Sequence, residues 1–99
     1  MVCVMTAHLQ RALERRDILA AYVTVLDGLE AFFRICTTVR GGRDELRVAV
    51  REAFGLSEAA ADAVLALQIR RLSPEEQQKT REELTQLDTH IARMEREQY

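Results

Sequence analysis

Two histidines and a cysteine are the residues of this sequence that could hold a metal ion. His8 and Cys3 lie near the N-terminus and His90 lies near the C-terminus, so they would meet only if the two ends of the chain lay side by side. A helical di-metal site would also need a glutamate three residues before each histidine, but Met5 and Leu87 occupy those positions. The sequence therefore favours exposed or capping histidines, and we expect no metal and no cofactor.

Covalent catalysis needs a serine or cysteine beside a histidine that a third group orients. Ser57 and Ser73 are both explained as helix N-caps. Cys36 lies in a strongly apolar stretch, and we expect it to be a buried small hydrophobe. A small helical enzyme of the chorismate mutase kind is an alternative, but it would need several inward-pointing cations, and Lys79 is the one lysine. We therefore expect no catalytic site in this chain.

The charge of the chain argues against autonomous binding to nucleic acid. The formal net charge is −2, whereas a nucleic-acid binder needs clustered cations that displace counterions. The segment Arg40-Gly41-Gly42-Arg43 resembles a single RGG unit, but a flexible turn explains it better. No apolar run is long enough to span a membrane, and two distant cysteines do not make a disulfide framework. We expect a cytoplasmic protein.

The scarcity of glycine and proline, with four and one residues, predicts an all-α fold. One long helix is expected over residues 6–37, because no proline interrupts it and Gly28 is its only glycine. The run Ser73-Pro74-Glu75-Glu76 predicts the start of a second long helix over residues 74–98. Apolar residues at steps of three and four predict that the two helices form an antiparallel coiled coil. Its seam is expected at Leu9, Leu13, Leu19, Leu84, Leu87, Ile91 and Met94.

Residues 38–72, between the two arms, are expected to form a small helical tip. A short helix is predicted over residues 44–54, with Gly55 as its cap. The next predicted helix, over residues 58–70, is apolar on nearly all sides. Few other residues of this chain remain to cover both faces of this helix. We therefore expect one face to pack against a second copy. The predicted dimer interface consists of Ala60, Val64, Leu67, Gln68, Ile69 and Leu72.

Several linked motifs resemble one region of the A subunit of bacterial DNA gyrase, a member of the type IIA topoisomerase family. They are Glu14-Arg15-Arg16-Asp17-Ile18-Leu19, Phe54-Gly55-Leu56-Ser57-Glu58 and Leu67-Gln68-Ile69-Arg70-Arg71-Leu72-Ser73. The resemblance covers about residues 9–98, with the motifs in the family's order. It implies that the arms are like the family's antiparallel coiled coil, and that the tip is like its exit gate (C-gate), where two subunits meet.

The sequence departs from the family's pattern at Asp17, Ala60, Ala66, Glu75 and Thr80. At position 60 the family has glutamine. Tyr22 and Tyr99 do not lie in a motif like the family's DNA-cleavage motif, and no metal-binding acidic cluster or nucleotide site is evident. The resemblance therefore implies a non-catalytic homodimerisation module, either a fragment of a longer protein or a free-standing relative. The leader Met1-Val2-Cys3-Val4-Met5 slightly favours an independent reading frame. The alternative is a free-standing helical protein that binds and modulates a partner such as a topoisomerase subunit.

Overall fold

A computed structural model describes residues 3–97 of the chain, with side chains from residue 7 onward. The side chains of the predicted leader Met1–Met5, including Cys3, and Tyr99 lie outside this described part. Within it the chain forms five α-helices, one short 3-10 helix and no strand, which confirms the all-α prediction. The elements are α1 (Cys3–Leu26), α2 (Leu29–Thr38), α3 (Arg43–Phe54), α4 (Glu58–Leu65), the 3-10 helix Ile69–Leu72 and α5 (Pro74–Glu97). None of the helices in residues 3–97 is long and apolar enough to cross a membrane.

The two long helices, α1 and α5, pack against each other in opposite directions. Arg16 of α1 pairs with Asp88 of α5, and Asp27, directly after α1, pairs with Arg81 of α5, whose Nη2 lies 2.7 Å from the Asp27 Oδ1. Residue numbers therefore rise along one helix as they fall along the other. Within the predicted seam, Leu19, Ile91 and Met94 are buried, whereas Leu9, Leu13, Leu84 and Leu87 are half-buried. The supercoiled geometry of a coiled coil stays a prediction.

The prediction of one helix over residues 6–37 is wrong, because the helix is interrupted at Asp27 and Gly28. The Gly28 N–H donates to the Val25 carbonyl instead of continuing the α-helical pattern, and α2 starts at Leu29. A Cβ atom at Gly28 would lie 3.2 Å from Cε1 of Phe54. The glycine therefore permits both the change of direction and the close approach of the Phe54 ring.

The hydrophobic core lies at the end of the helix pair, where four helices meet. The fully enclosed side chains come from α1, α3 and α4, and they are Ala21, Val25, Val50, Ala60, Ala61 and Val64. Tyr22, Leu29, Phe32, Leu46 and Phe54 pack around them. The second half of the predicted first arm thus contributes to the core of the tip as well as to the helix pair.

A charged network holds α3 against α4. Arg47 of α3 pairs with Asp44 in its own helix at 2.9 Å, and with Asp62 of α4 at 3.4 Å. The hydrogen bond to Asp62 raises the pKa of Arg47, and the negative charges of Asp62, Asp44 and Glu58 raise it further. The guanidinium is therefore permanently charged in this network.

Three predicted helix boundaries are confirmed by the hydrogen bonds at their caps. Gly55 ends α3 in the left-handed conformation, with φ 65°. Ser57 begins α4, because its Oγ accepts a hydrogen bond from the Ala60 N–H at 3.1 Å. The same hydroxyl donates to Oδ2 of Asp17 on α1 at 2.8 Å, which ties the tip to the arm. Ser73 precedes α5, and its Oγ accepts from the Glu76 N–H at 3.3 Å.

Candidate functional site

An apolar groove opens on the tip, between α2 and the segment that follows α4. We call it the tip groove, and its volume is about 190 Å³. One wall is α2, with Leu29, Phe32, Phe33 and Cys36; the other is the segment Val64, Leu65, Leu67, Gln68, Ile69 and Leu72; Val25 and Leu46 complete the lining. Eleven of these twelve side chains carry no amide or charge, so the groove suits an apolar side chain better than a polar ligand.

The second wall exists because α4 ends five residues earlier than the sequence pattern predicts. The expected helix over residues 58–70 is wrong: α4 stops at Leu65, Gln68 is extended, and a 3-10 helix covers Ile69–Leu72. The proline at position 74 disfavours helical conformation at Ser73, which has ψ 152°. The chain must therefore reverse before α5, and the reversal turns the last apolar residues of this stretch toward solvent.

Hydrogen bonds and ion pairs fix this reversal against α5 and α1. Gln77 Nε2 donates to the Leu72 carbonyl at 2.8 Å, and Arg70 reaches Glu76 at 3.5 Å. Arg70 Nε also donates to Gln68 Oε1 at 2.7 Å. The guanidinium carbon of Arg71 lies 5.5 Å from the centre of the Tyr22 ring, within the range of a cation–π contact. The wall of the groove is therefore held from both sides. Of the two adjacent arginines, Arg70 pairs with Glu76 and Arg71 contacts the Tyr22 ring.

Five of the six residues predicted for a dimer interface line the tip groove, and Ala60 does not. Within the chain, Ala60 is 0% exposed and Val64 is 1% exposed. Both pack into the chain's own core, so they offer little surface to a partner. Gln68 and Ile69 are exposed, and Leu67 and Leu72 are half-buried. The available surface therefore lies after α4, on the reversal, rather than on α4 itself.

Two large apolar side chains that line the groove, one from each wall, are exposed to solvent. Ile69 is 83% exposed and Phe33 is 48% exposed. The sequence analysis did not single out Phe33 as a candidate binding residue. Phe32 and Phe33 are consecutive, about 100° apart around a helix, so one buried face cannot cover both rings. This spacing could have indicated that one of them is available to a partner.

Cys36 lies on the same wall, and the prediction that it is a buried hydrophobe is wrong. Its side chain is exposed, although its apolar surroundings partly desolvate the thiol and raise its pKa. A raised pKa keeps the thiol in its neutral form at neutral pH, so Cys36 adds apolar surface to the groove rather than a reactive thiolate.

The residues considered for chemistry do not converge. His8 and His90 are both exposed, and no group of three His, Cys, Asp or Glu side chains in the described part of the chain is placed to hold a metal ion. Ser57 and Ser73 act as helix caps. Among the described residues, the tip groove is the surface feature whose composition and shape indicate a binding role.

The chain is similar in sequence to the A subunits of DNA gyrase from several bacteria. The chain is 38% identical over 87 residues to the DNA gyrase A subunit of Synechocystis, an alignment that covers 86% of this chain and 10% of that protein. It is 34% identical over 89 residues to the DNA gyrase A subunit of Mycobacterium leprae, covering 88% and 7%. The corresponding protein of Mycobacterium tuberculosis is 34% identical over 93 residues, covering 91% and 11%. The chain thus spans about a tenth of the length of these relatives. No protein-family model matches it.

Proposed function

Since this chain is a gyrase-A-like region over 86–91% of its length, we propose that it is a non-catalytic, cytoplasmic homodimerisation module that resembles the exit gate of bacterial type IIA topoisomerases. The observation that carries the proposal is the tip groove, an apolar surface at the end of a helix pair. A surface of this kind marks a protein–protein contact on a small domain. The similarity to the gyrase A subunit supports a second copy as the partner.

The energetics of the surface favour a contact over a free tip. Ile69 and Phe33 together leave two large side chains in water, and full burial of one such side chain contributes about 1.5–3 kcal/mol. An isologous dimer buries each residue twice. Because Ile69 is 83% exposed and Phe33 is 48% exposed, their burial in both copies contributes about 4–8 kcal/mol, which is comparable with the cost of association of about 4–15 kcal/mol. The other residues of the groove must therefore add to the contact for a stable dimer to form.

Light scattering coupled to size-exclusion chromatography tests the proposal directly. The purified chain is expected to elute as a dimer at high micromolar concentration. Leu67→Glu should convert it to a monomer, because a carboxylate in the groove would have to be desolvated on association. Val48→Glu is the matched control, since Val48 is an exposed aliphatic residue of α3 at 47% exposure and does not line the groove.

Circular dichroism of both variants distinguishes a broken contact from a broken fold. We expect Leu67→Glu to keep its helical content and Val48→Glu to stay dimeric. A wild-type chain that is monomeric at high micromolar concentration would rule the proposal out, as would a dimer that Leu67→Glu leaves intact.

The similarity to the gyrase A subunit also favours a second candidate function, in which the chain pairs with the matching region of a longer gyrase protein and modulates it. The purified full-length gyrase A subunit is the partner to use, immobilised and exposed to wild-type chain or to the Leu67→Glu variant. Binding that Leu67→Glu abolishes would support this function. Absence of wild-type binding would leave the homodimer as the only supported role.

A further inference from the structure

We propose that two copies of the chain join by reciprocal insertion, in which Ile69 of each copy enters the tip groove of the other. This inference rests on the proposed homodimer and specifies its contact. It starts from the placement of Ile69 on the rim of the groove, at 83% exposed. Ile69 projects from its own chain, so it does not fill the groove beside which it stands.

The size of the groove fits an aliphatic side chain. Its volume is about 190 Å³, whereas an apolar cavity of about 150 Å³ in another protein accepts a benzene molecule. An isoleucine side chain has fewer carbon atoms than benzene, so it fits with space for neighbouring backbone. A helix of the partner would not enter a groove of this volume, which favours a single projecting side chain.

The same face carries both the projecting residue and the groove, which is what a two-fold axis requires. In an isologous contact, residue i of one copy meets residue j of the other while j meets i. Here i is Ile69, on the 3-10 helix, and j is the opposite wall, represented by Phe33 and Leu29 on α2. Two equivalent insertions then bury both exposed side chains of each copy.

The charges beside the groove allow this approach. Arg70, next to Ile69, is paired with Glu76 and hydrogen-bonded to Gln68 within its own chain. Arg71 is held over the Tyr22 ring. Each of these two cations therefore has a partner within the chain, which reduces the repulsion between them when two copies approach each other.

Complementary charge variants test the pairing of Ile69 with Phe33. Ile69→Glu and Phe33→Lys should each raise the dissociation constant of their own homodimer by about 30-fold or more, the loss typical of a central interface residue. An equimolar mixture should regain a dimer, because one of its two contacts is native and the other joins the introduced carboxylate to the introduced ammonium group. Native mass spectrometry identifies that heterodimer by its mass.

The outcomes separate this inference from the proposed function. Two monomeric variants that form a heterodimer when mixed support reciprocal insertion. A mixture that stays monomeric, or an Ile69→Glu variant that stays dimeric, overturns reciprocal insertion while a dimeric wild type keeps the proposed function. A monomeric wild type overturns both. Val48→Glu, mixed with Phe33→Lys in place of Ile69→Glu, is the control and should remain mainly a homodimer, because its heterodimer would keep one native contact and lose the other. Cys36→Lys, an exposed residue on the same wall as Phe33, replaces Phe33→Lys should that variant lose its helical content.

Discussion

Replacing Ala60 with glutamine, the residue that the family resemblance places at this position, should destabilise the chain strongly. Ala60 is 0% exposed and packs among the core side chains of the tip. Extra atoms forced into a packed core cost about 1–3 kcal/mol, and an amide buried without a hydrogen-bond partner costs about 1–3 kcal/mol more. The expected loss is therefore about 2–6 kcal/mol, against a total stability of about 5–15 kcal/mol for a typical domain.

The neighbouring residue supplies a matched control. Ala59 lies in the first turn of the same helix, but its side chain is exposed. Ala59→Gln changes the same atoms and the same helix propensity, and an exposed substitution of this kind stays within about 0.5 kcal/mol. The difference in unfolding free energy between the two variants therefore measures the effect of burying the glutamine side chain.

Thermal unfolding followed by circular dichroism measures the difference. A change of 1 kcal/mol moves the midpoint of a domain of this size by about 4–8 °C, so Ala60→Gln should melt at least about 8 °C below Ala59→Gln. Both must be measured at one protein concentration, because dimer stability depends on it. Equal melting temperatures, with loss of the dimer in Ala60→Gln alone, would show that Ala60 faces a partner and would refute its place in the core.

Three further predictions concern local features. Gly55→Ala should cost about 1–2 kcal/mol in a urea titration, because Gly55 has φ 65° and a left-handed alanine is strained; Gly42→Ala, at φ −98° before α3, is the control and should cost less, because it weakens a helix cap without left-handed strain. Ser57→Ala should cost about 0.5–2 kcal/mol through loss of the α4 cap, and a stability equal to wild type would contradict that role. In a Cys3→Ser background, Cys36 should react with iodoacetamide more slowly than a free thiol at neutral pH, and faster as the pH rises through its raised pKa; a faster reaction than the free thiol at neutral pH would contradict the stated environment.

The residues that mark helix ends were predictable from the sequence. Ser57, Ser73 and Gly55 each mark a helix end through a hydrogen bond or a backbone conformation that few residue types supply, and the structure has all three boundaries at these residues. The pairing of α1 with α5 was also predictable, because a reversal must lie between two long amphipathic helices. These features depend on neighbours in the chain or on a period that the sequence displays.

The features that the sequence did not reveal depend on contacts made by residues far apart in the chain. From the sequence, Gly28 is a glycine that a helix could tolerate. In the structure, a Cβ atom at Gly28 would lie 3.2 Å from Cε1 of Phe54. The apolar run after Ser57 contains no glycine or proline before Pro74, so the sequence does not mark the end of α4 at Leu65. A helix apolar on all sides does not say which face turns inward, and for that reason Ala60 and Val64 were assigned to a partner although the chain encloses them itself.

The hydrogen bond between Ser57 and Asp17 has a consequence for how the arm is aligned with the tip. Apolar contacts between helices are non-directional, so they permit small axial slips at little cost. A slip of α1 by one turn, about 5.4 Å, would break the hydrogen bond that Asp17 Oδ2 now accepts from the Ser57 hydroxyl at 2.8 Å. This polar contact, together with the contact of Arg71 with the Tyr22 ring, therefore helps to set the axial position of the long helix relative to the tip.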